Sequence, residues 1–450
     1  MPYLPHTDED RRVMLDAVGA LTLEDLVAEV PAHARFPELG LAAGRSELEV
    51  AATMRRHAGR NRDALVNDTF LGAGVYNHYR PAIVDHVLSR GEFFTAYTPY
   101  QPEASQGMLQ ATFEYQSMIC RLTGMEVSNA SHYDGATSLA EAVMLALHAG
   151  EKGRDAILLS AGVHPHYREV ARTYLSAAAA TVAGDEDGRG GLSALLGRLD
   201  GRTAAVVVQT PDFFGQVERL DDAAARVHDA GALLIVVVDP VSLGLYRPPG
   251  DFGADLVVAD GQCLGLPPSF GGPHLGIFAT RRQYIRRLVG RLVGETVDAA
   301  SRRGYVLTLG TREQHIRREH ATSNICTNAA LGALAAAVYL STVGKDGLRR
   351  VAELCYHKSH YAAARIGDIP GVAINPQAPE KDFFKEFVAA LPVPVAEVNR
   401  ILLDEHGIIG GYDLGLVDER LAGRMLLAVT EMNTRESIDR LVDALAAACR

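Results

Sequence analysis

The sequence predicts an α/β protein: a large domain built on a mainly parallel sheet, with a helical N-terminal arm and a small α+β C-terminal domain. Two observations carry this. From about residue 66 short apolar runs alternate with helix-periodic stretches, as when parallel strands are joined by helical crossovers. Residues 1–65 show helical spacing without a strand pattern, and beyond about 340 the order turns to strand, strand, helix, strand, helix. The expected boundaries are therefore 1–65, 66–340 and 341–450.

In the arm, "LTLEDLVAEV" (21–30) and "SELEVAATMRRHAGRN" (46–61) repeat apolar residues at helical spacing, with Thr22 and Ser46 as caps. In the large domain, "AILLS" (156–160) leads through "HYREVARTYLSAAA" to "TVAG". "AAVVVQ" (204–209) leads through "DDAAARVHDAG" to "ALLIVVVD" (232–239), and "ADLVVAD" (254–260) precedes a Gly/Pro-rich loop and "LGIFAT" (275–280). The last domain contains "VAINP", "FFKEFVAAL", "VNRILLDEHG", "RMLLAVT" and "SIDRLVDALAAAC".

Composition narrows function by exclusion. A net charge of −11 argues against general binding to nucleic acid or an anionic membrane. Five scattered cysteines with no CxxC pair support neither a disulfide framework nor a zinc site, and no metal is expected. "MPYLPHTDEDRR" lacks the apolar stretch of a secretory signal, and "ALLIVVV" (232–238) is far too short to span a membrane. A cytoplasmic protein is expected.

No Walker loop, GxGxxG, HExxH or GxSxG is present. Gly135, Ala136, Thr137 and Ser138 open a helix whose free amides suit a phosphate; Ser138 and Glu141 equally fit a capping box that needs no ligand. Asp239 ends a strand, where it could hold a pyridinium nitrogen or simply make an Asp-Pro turn. His164 follows another strand, placed to stack on a flat ring or to cap a helix. A phosphate-type helix start, a histidine, an aspartate and a Gly-rich loop occur here in the order of fold-type I pyridoxal phosphate enzymes, of which aspartate aminotransferase is an example. Those enzymes carry a lysine in that loop. Here "DGQCLGLPPSFGGPHLG" (260–276) offers only Gln262 and Cys263, and Lys152 and Lys345 are consecutive lysines in the chain. Glutamine cannot form a Schiff base, so the cofactor cannot be tethered in this loop.

Three long strings extend the comparison: "FLGAGVYNHYRPAIVDHVLSRGEFFTAYTPYQPEASQG" (70–107), the loop at 260–276, and "LGTREQHIRREHATSNICTNAAL" (309–331). They resemble the P-protein of the glycine cleavage system, and more closely the separate N-terminal, or alpha, chains of its split form. The resemblance implies a subunit that is inactive alone and pairs with a beta chain, commonly as an α2β2 heterotetramer in which beta holds pyridoxal 5'-phosphate. Together they would decarboxylate glycine, release CO2 and pass the aminomethyl group to the lipoyl disulfide of the H-protein, an oxidoreductase activity of glycine catabolism. On the matching motifs, Thr98, Tyr100 and Gln101 would contribute to the partner's catalytic site, and Thr322, Ser323 and Asn324 would contact the partner's cofactor. Thr137, Ser138, His164 and Asp239 would form a vestigial pocket. The same two motifs could instead serve only the subunit interface. Two alternatives stand beside this reading: a catalytically silent scaffold, and an independent pyridoxal phosphate enzyme using a lysine elsewhere, for which Lys345 and Lys358 are poorly placed. Residues 281–318 hold ten arginines against three acidic residues, a patch that could steer an acidic carrier protein or form a solvated helix face.

Overall fold

The computed structural model describes residues 5–150, 153–186, 191–310, 314–321 and 323–450. The chain divides into two compact units, 1–61 and 62–450. In the first, helices Asp8–Val18, Leu23–Leu26 and Glu47–Ala58 bury none of their residues. Each starts with a capping box, Thr7 with Asp10, Thr22 with Asp25 and Ser46 with Glu49, so local hydrogen bonds define where these helices begin.

The second unit is built on a seven-stranded sheet in the order Val127–Ser128, Gly276–Thr280, Leu256–Asp260, Leu233–Val238, Thr203–Thr210, Ala156–Leu159, Thr181–Ala183. Only Gly276–Thr280 runs against the others. The central strand "LLIVVV" is buried along almost its whole length, because helices cover both faces. Val238 pairs in parallel with Ala259. Asp239 and Asp260 therefore leave the sheet side by side.

A second, antiparallel sheet orders Ala373–Ile374, Glu386–Ala390, Arg424–Ala428 and Tyr412–Asp413. Helices Val395–His406 and Arg435–Ala448 pack on it through Val398, Leu402, Ile438, Leu441 and Leu445. Phe70 joins this core, and Asp68–Thr69 pairs with Ile408–Ile409, so residues 68–70 pack with the C-terminal sheet. The helix Ala330–Gly367 links the two sheets and breaks at Gly344, whose backbone (φ 61°, ψ −173°) is left-handed and non-helical.

The arginine-rich stretch differs from the helix face considered above. Leu292–Val297 and Arg303–Thr308 form an antiparallel hairpin. Three of the arginines in this stretch are spent within the chain: Arg281 donates to Ala254 O and Gly250 O, Arg287 to His148 O, and Arg302 pairs with Asp298. No helix of the described residues is long and apolar enough to cross a membrane.

Candidate functional site

His164 and Asp239 line one cavity with Tyr76, Tyr167, Asp260, Gln262 and Glu386, at the ends of the strands Leu233–Val238 and Leu256–Asp260. The cavity measures about 40 Å³, room for a few waters and far too little for a pyridine ring with a phosphate. Thr137 and Ser138 lie outside its lining.

Charge explains the closure. Lys385, 1% exposed, enters from the antiparallel sheet and forms an ion pair with Asp239. Its ammonium sits 3.2 Å from the centre of the Tyr76 ring and 3.3 Å from His78 Nε2. Burial is the largest influence and opposes the charge on Lys385, but Asp239 together with Cys263 and Cys355 outweighs it and the ammonium's pKa is raised. The residue adopts φ 62°, a left-handed conformation that costs a non-glycine residue about 1–2 kcal/mol and persists because the surroundings over-determine it. The other Asp239 oxygen accepts from the Val241 amide at 2.9 Å, so the Asp-Pro turn is present as well. The positive charge that a pyridinium would bring is already supplied by the chain itself.

Around this pair the polar groups are satisfied. Tyr76 OH donates to Glu386 at 2.7 Å, and burial raises the Glu386 carboxyl to about 7. His78 Nδ1 lies 2.7 Å from Glu431. Burial alone would raise Glu431, yet His78 and the Tyr79 amide outweigh it and bring the carboxyl down to about 2. His78, Cys355 and Glu431 bring possible metal ligands within 4.8 Å of one another, but the Lys385 ammonium stands against the same ring and opposes a second cation there.

Gln262, one of the two loop residues considered for the lysine position, lines the cavity. Its side chain accepts from the Tyr76 amide and donates to the Tyr76 and Leu266 carbonyls at 2.8–3.0 Å. At the helix start the amides are bonded within the chain. The helix is Gly135–Ala149, and its capping box joins Asp134 to Thr137 rather than Ser138 to Glu141. Asp134 accepts from the Thr137 amide at 2.7 Å, Asp260 from the Gly135 amide at 3.1 Å, and Ser138 Oγ turns back to the Asp134 carbonyl. These two carboxylates occupy the donors that an incoming anion would need. His164 caps the helix Pro165–Leu175 and stacks on Tyr167 at 4.8 Å, and burial lowers its pKa to about 4. It packs against protein where a cofactor ring was considered. The residues present do not fit pyridoxal phosphate in this chain.

The two motifs expected to face a partner lie beside one another, on another part of the surface. Thr98 is half-buried, Tyr100 is 53% exposed, and Gln101 is exposed just before the turn Pro102–Ala104. Ser323 is half-buried and Asn324 exposed, while Thr322 lies outside the described residues. Ser323 Oγ donates to Glu141 at 2.6 Å, and burial pushes that carboxyl up to about 7. Glu141, offered above as a cap, is instead the buried anchor of this loop. Arg291 joins the motifs: it donates to Cys326 O at 2.8 Å, Thr327 Oγ1 at 3.1 Å, Asn328 Oδ1 at 3.3 Å and Tyr100 OH at 3.4 Å.

Residues 1–445 match the family described as glycine cleavage system P-protein. The chain belongs to that family. It is 53% identical over 448 residues to the probable glycine dehydrogenase (decarboxylating) subunit 1 of Thermomicrobium roseum, covering 99% of each sequence. Among solved structures, the inhibitor-bound glycine decarboxylase (P-protein) of the glycine cleavage system superposes with a TM-score of 0.91 at 47% identity, covering 100% of both chains. Sphingosine-1-phosphate lyase of Burkholderia pseudomallei matches with a TM-score of 0.65 at 15% identity over 93% of this chain and 94% of its own. That likeness bears on the fold alone. The fold of this P-protein family member is the fold-type I architecture expected from the sequence. Reading the motifs missed Lys385 and Arg291. A lysine and a glutamate inside the apolar string "FFKEFVAAL" were the available signal for the first; Arg291 stood among nine other arginines.

Proposed function

We propose that this chain is the subunit of a glycine decarboxylase that does not carry the cofactor lysine, acting with a second, similar chain that holds pyridoxal 5'-phosphate, in an α2β2 assembly. The pair decarboxylates glycine and transfers the aminomethyl group to the lipoyl arm of the H-protein, its disulfide being reduced. One observation supports the reading: the 260–276 loop offers Gln262 and Cys263 but no lysine to the cavity, and Asp239 is already paired with Lys385. A chain built this way does no cofactor chemistry in its own pocket, while the family it belongs to decarboxylates glycine. The bound cofactor supplies an electron sink for the carbon that loses CO2, and it does so in the partner.

This chain contributes donors from its surface. The Tyr100 and Thr98 hydroxyls, the Gln101 amide and the Asn324 side chain present neutral hydrogen-bonding groups on two adjoining loops, while Ser323, whose hydroxyl proton goes to Glu141, holds its loop in place. Such groups can bond glycine's carboxylate or the cofactor phosphate without the like-charge cost that an added carboxylate would bring. We assign them that role in the partner's site, with Thr322 next to Ser323.

The test is reconstitution. The purified chain mixed with pyridoxal phosphate is expected to lack the visible absorption of a lysine-bound cofactor. With the partner and lipoylated H-protein it should restore glycine–CO2 exchange, and Ser323→Ala or Tyr100→Phe should reduce it. Lysine-linked absorption in the isolated chain overturns the division of labour. Full activity of both variants in an intact assembly reduces the chain to a scaffold.

A further inference from the structure

Arg291 is 7% exposed and opens the hairpin strand Leu292–Val297. Burying a guanidinium is costly unless its charge is compensated. Yet among the described residues no carboxylate lies within ion-pair distance of it, and its partners are all neutral oxygens: one backbone carbonyl, two hydroxyls and one side-chain amide. Those oxygens belong to two loops far apart in sequence, and the guanidinium carbon also lies 5.5 Å from the centre of the Tyr100 ring.

The loops are held from behind as well. Asn328 donates to Ala130 O at 3.0 Å and to Ser131 Oγ at 3.2 Å, and Tyr133 OH accepts from the Cys326 amide at 3.2 Å. With Ser323 fixed to Glu141, the 323–328 loop has anchors at both ends and Arg291 between them. The 98–101 loop has a local bond from the Tyr100 amide to Thr98 O and is joined to the other loop through Tyr100 and Arg291. A planar fork of five donors can serve acceptors on two loops at once; a lysine ammonium cannot reproduce that geometry.

We propose that Arg291 is a positioning residue of the composite site: one buried guanidinium sets the 98–101 and 323–328 loops in the arrangement that the partner's pocket requires. The inference rests on the proposed function, since it assumes that these loops reach that pocket. Because every acceptor is neutral, the clamp keeps its net positive charge close to where an anionic substrate is handled.

The experiment uses the complete complex with partner and H-protein. Arg291→Lys and Arg291→Ala are each expected to lower kcat/KM for glycine about 10- to 100-fold, the loss of hydrogen bonds to a charged group. Affinity for the partner should stay within about threefold of native. Added guanidinium should restore part of the activity of Arg291→Ala and none of that of Arg291→Lys. Thr327→Val removes one acceptor at an exposed position and should cost roughly three- to tenfold in kcat/KM, keeping the test open if the arginine variants do not fold. Native kcat/KM in Thr327→Val and in every arginine variant that folds overturns the proposal, as does activity lost only in step with assembly. Ser323→Ala and Tyr100→Phe separate the two readings. If they impair exchange while Arg291 and Thr327 variants do not, only the positioning role fails; if all are silent, the composite site itself fails.

Discussion

Replacing Lys385 with methionine keeps the length of the side chain and its contact with Tyr76, and removes only the charge. Asp239 would then sit with a largely buried carboxylate held by a single amide, that of Val241. Breaking a buried ion pair on one side costs about 3–5 kcal/mol, because the remaining charge is uncompensated. Loss of the desolvated ammonium–ring contact is worth up to about 2 kcal/mol and overlaps that figure rather than adding to it. We therefore expect the purified chain to lose about 4 kcal/mol in urea unfolding analysed at constant slope. The double variant Lys385→Met/Asp239→Asn removes both charges and should return to within about 1 kcal/mol of the native chain. A single variant that loses less than about 1 kcal/mol, or a double variant as unstable as the single, would show that the pair does not hold the two sheets together.

Three further outcomes follow from the same geometry. Gln262→Lys alone should bind no pyridoxal phosphate detectable by visible absorption, since Lys385 still neutralises Asp239 and two carboxylates still fill the helix start; appearance of that absorption refutes the closed-pocket reading. Stability should fall as pH rises from about 4.5 to 7: Asp212, Glu141 and Glu386, raised to about 7 by burial, are protonated in the folded chain there while the unfolded chain is ionised, and these three outweigh the buried imidazoles of His132 and His164, lowered to about 4, which act in the opposite sense up to about 6.5. Glu431 acts in the opposite sense, its contribution present above the unfolded value and lost as pH falls through about 2. A urea midpoint that climbs between pH 5 and 7 contradicts this. Ser323→Ala removes the bond that lowers the Glu141 carboxyl, so its pKa should rise above about 7 in an NMR titration; an unchanged value means that the Ser323–Glu141 bond is absent in solution.

The parallel sheet was legible because a strand covered on both faces must be apolar along its buried length, and "LLIVVV" and the "LVVA" that precedes Asp260 are. The caps at Thr22 and Ser46 were legible because capping is local chemistry. The hairpin at 292–308 was not: its strands contain Gly, Glu and Arg, and their pairing depends on a partner strand that periodicity does not reveal. The candidate site divided the same way. Asp239, His164 and Gln262 could be placed by order along the chain. The lysine that closes the pocket lies in another sheet, and the Asp134 carboxylate at the helix start reads on paper as an ordinary turn residue. Long-range charge pairing leaves no spacing to read.

The residues that shut the pocket come from separate stretches: Tyr76 and His78, Asp134, Asp260 with Gln262, and Lys385 with Glu386. Each group is held by the others, so substituting any one alone leaves a buried charge or a vacancy. Opening this pocket to a cofactor therefore takes several coordinated substitutions rather than one.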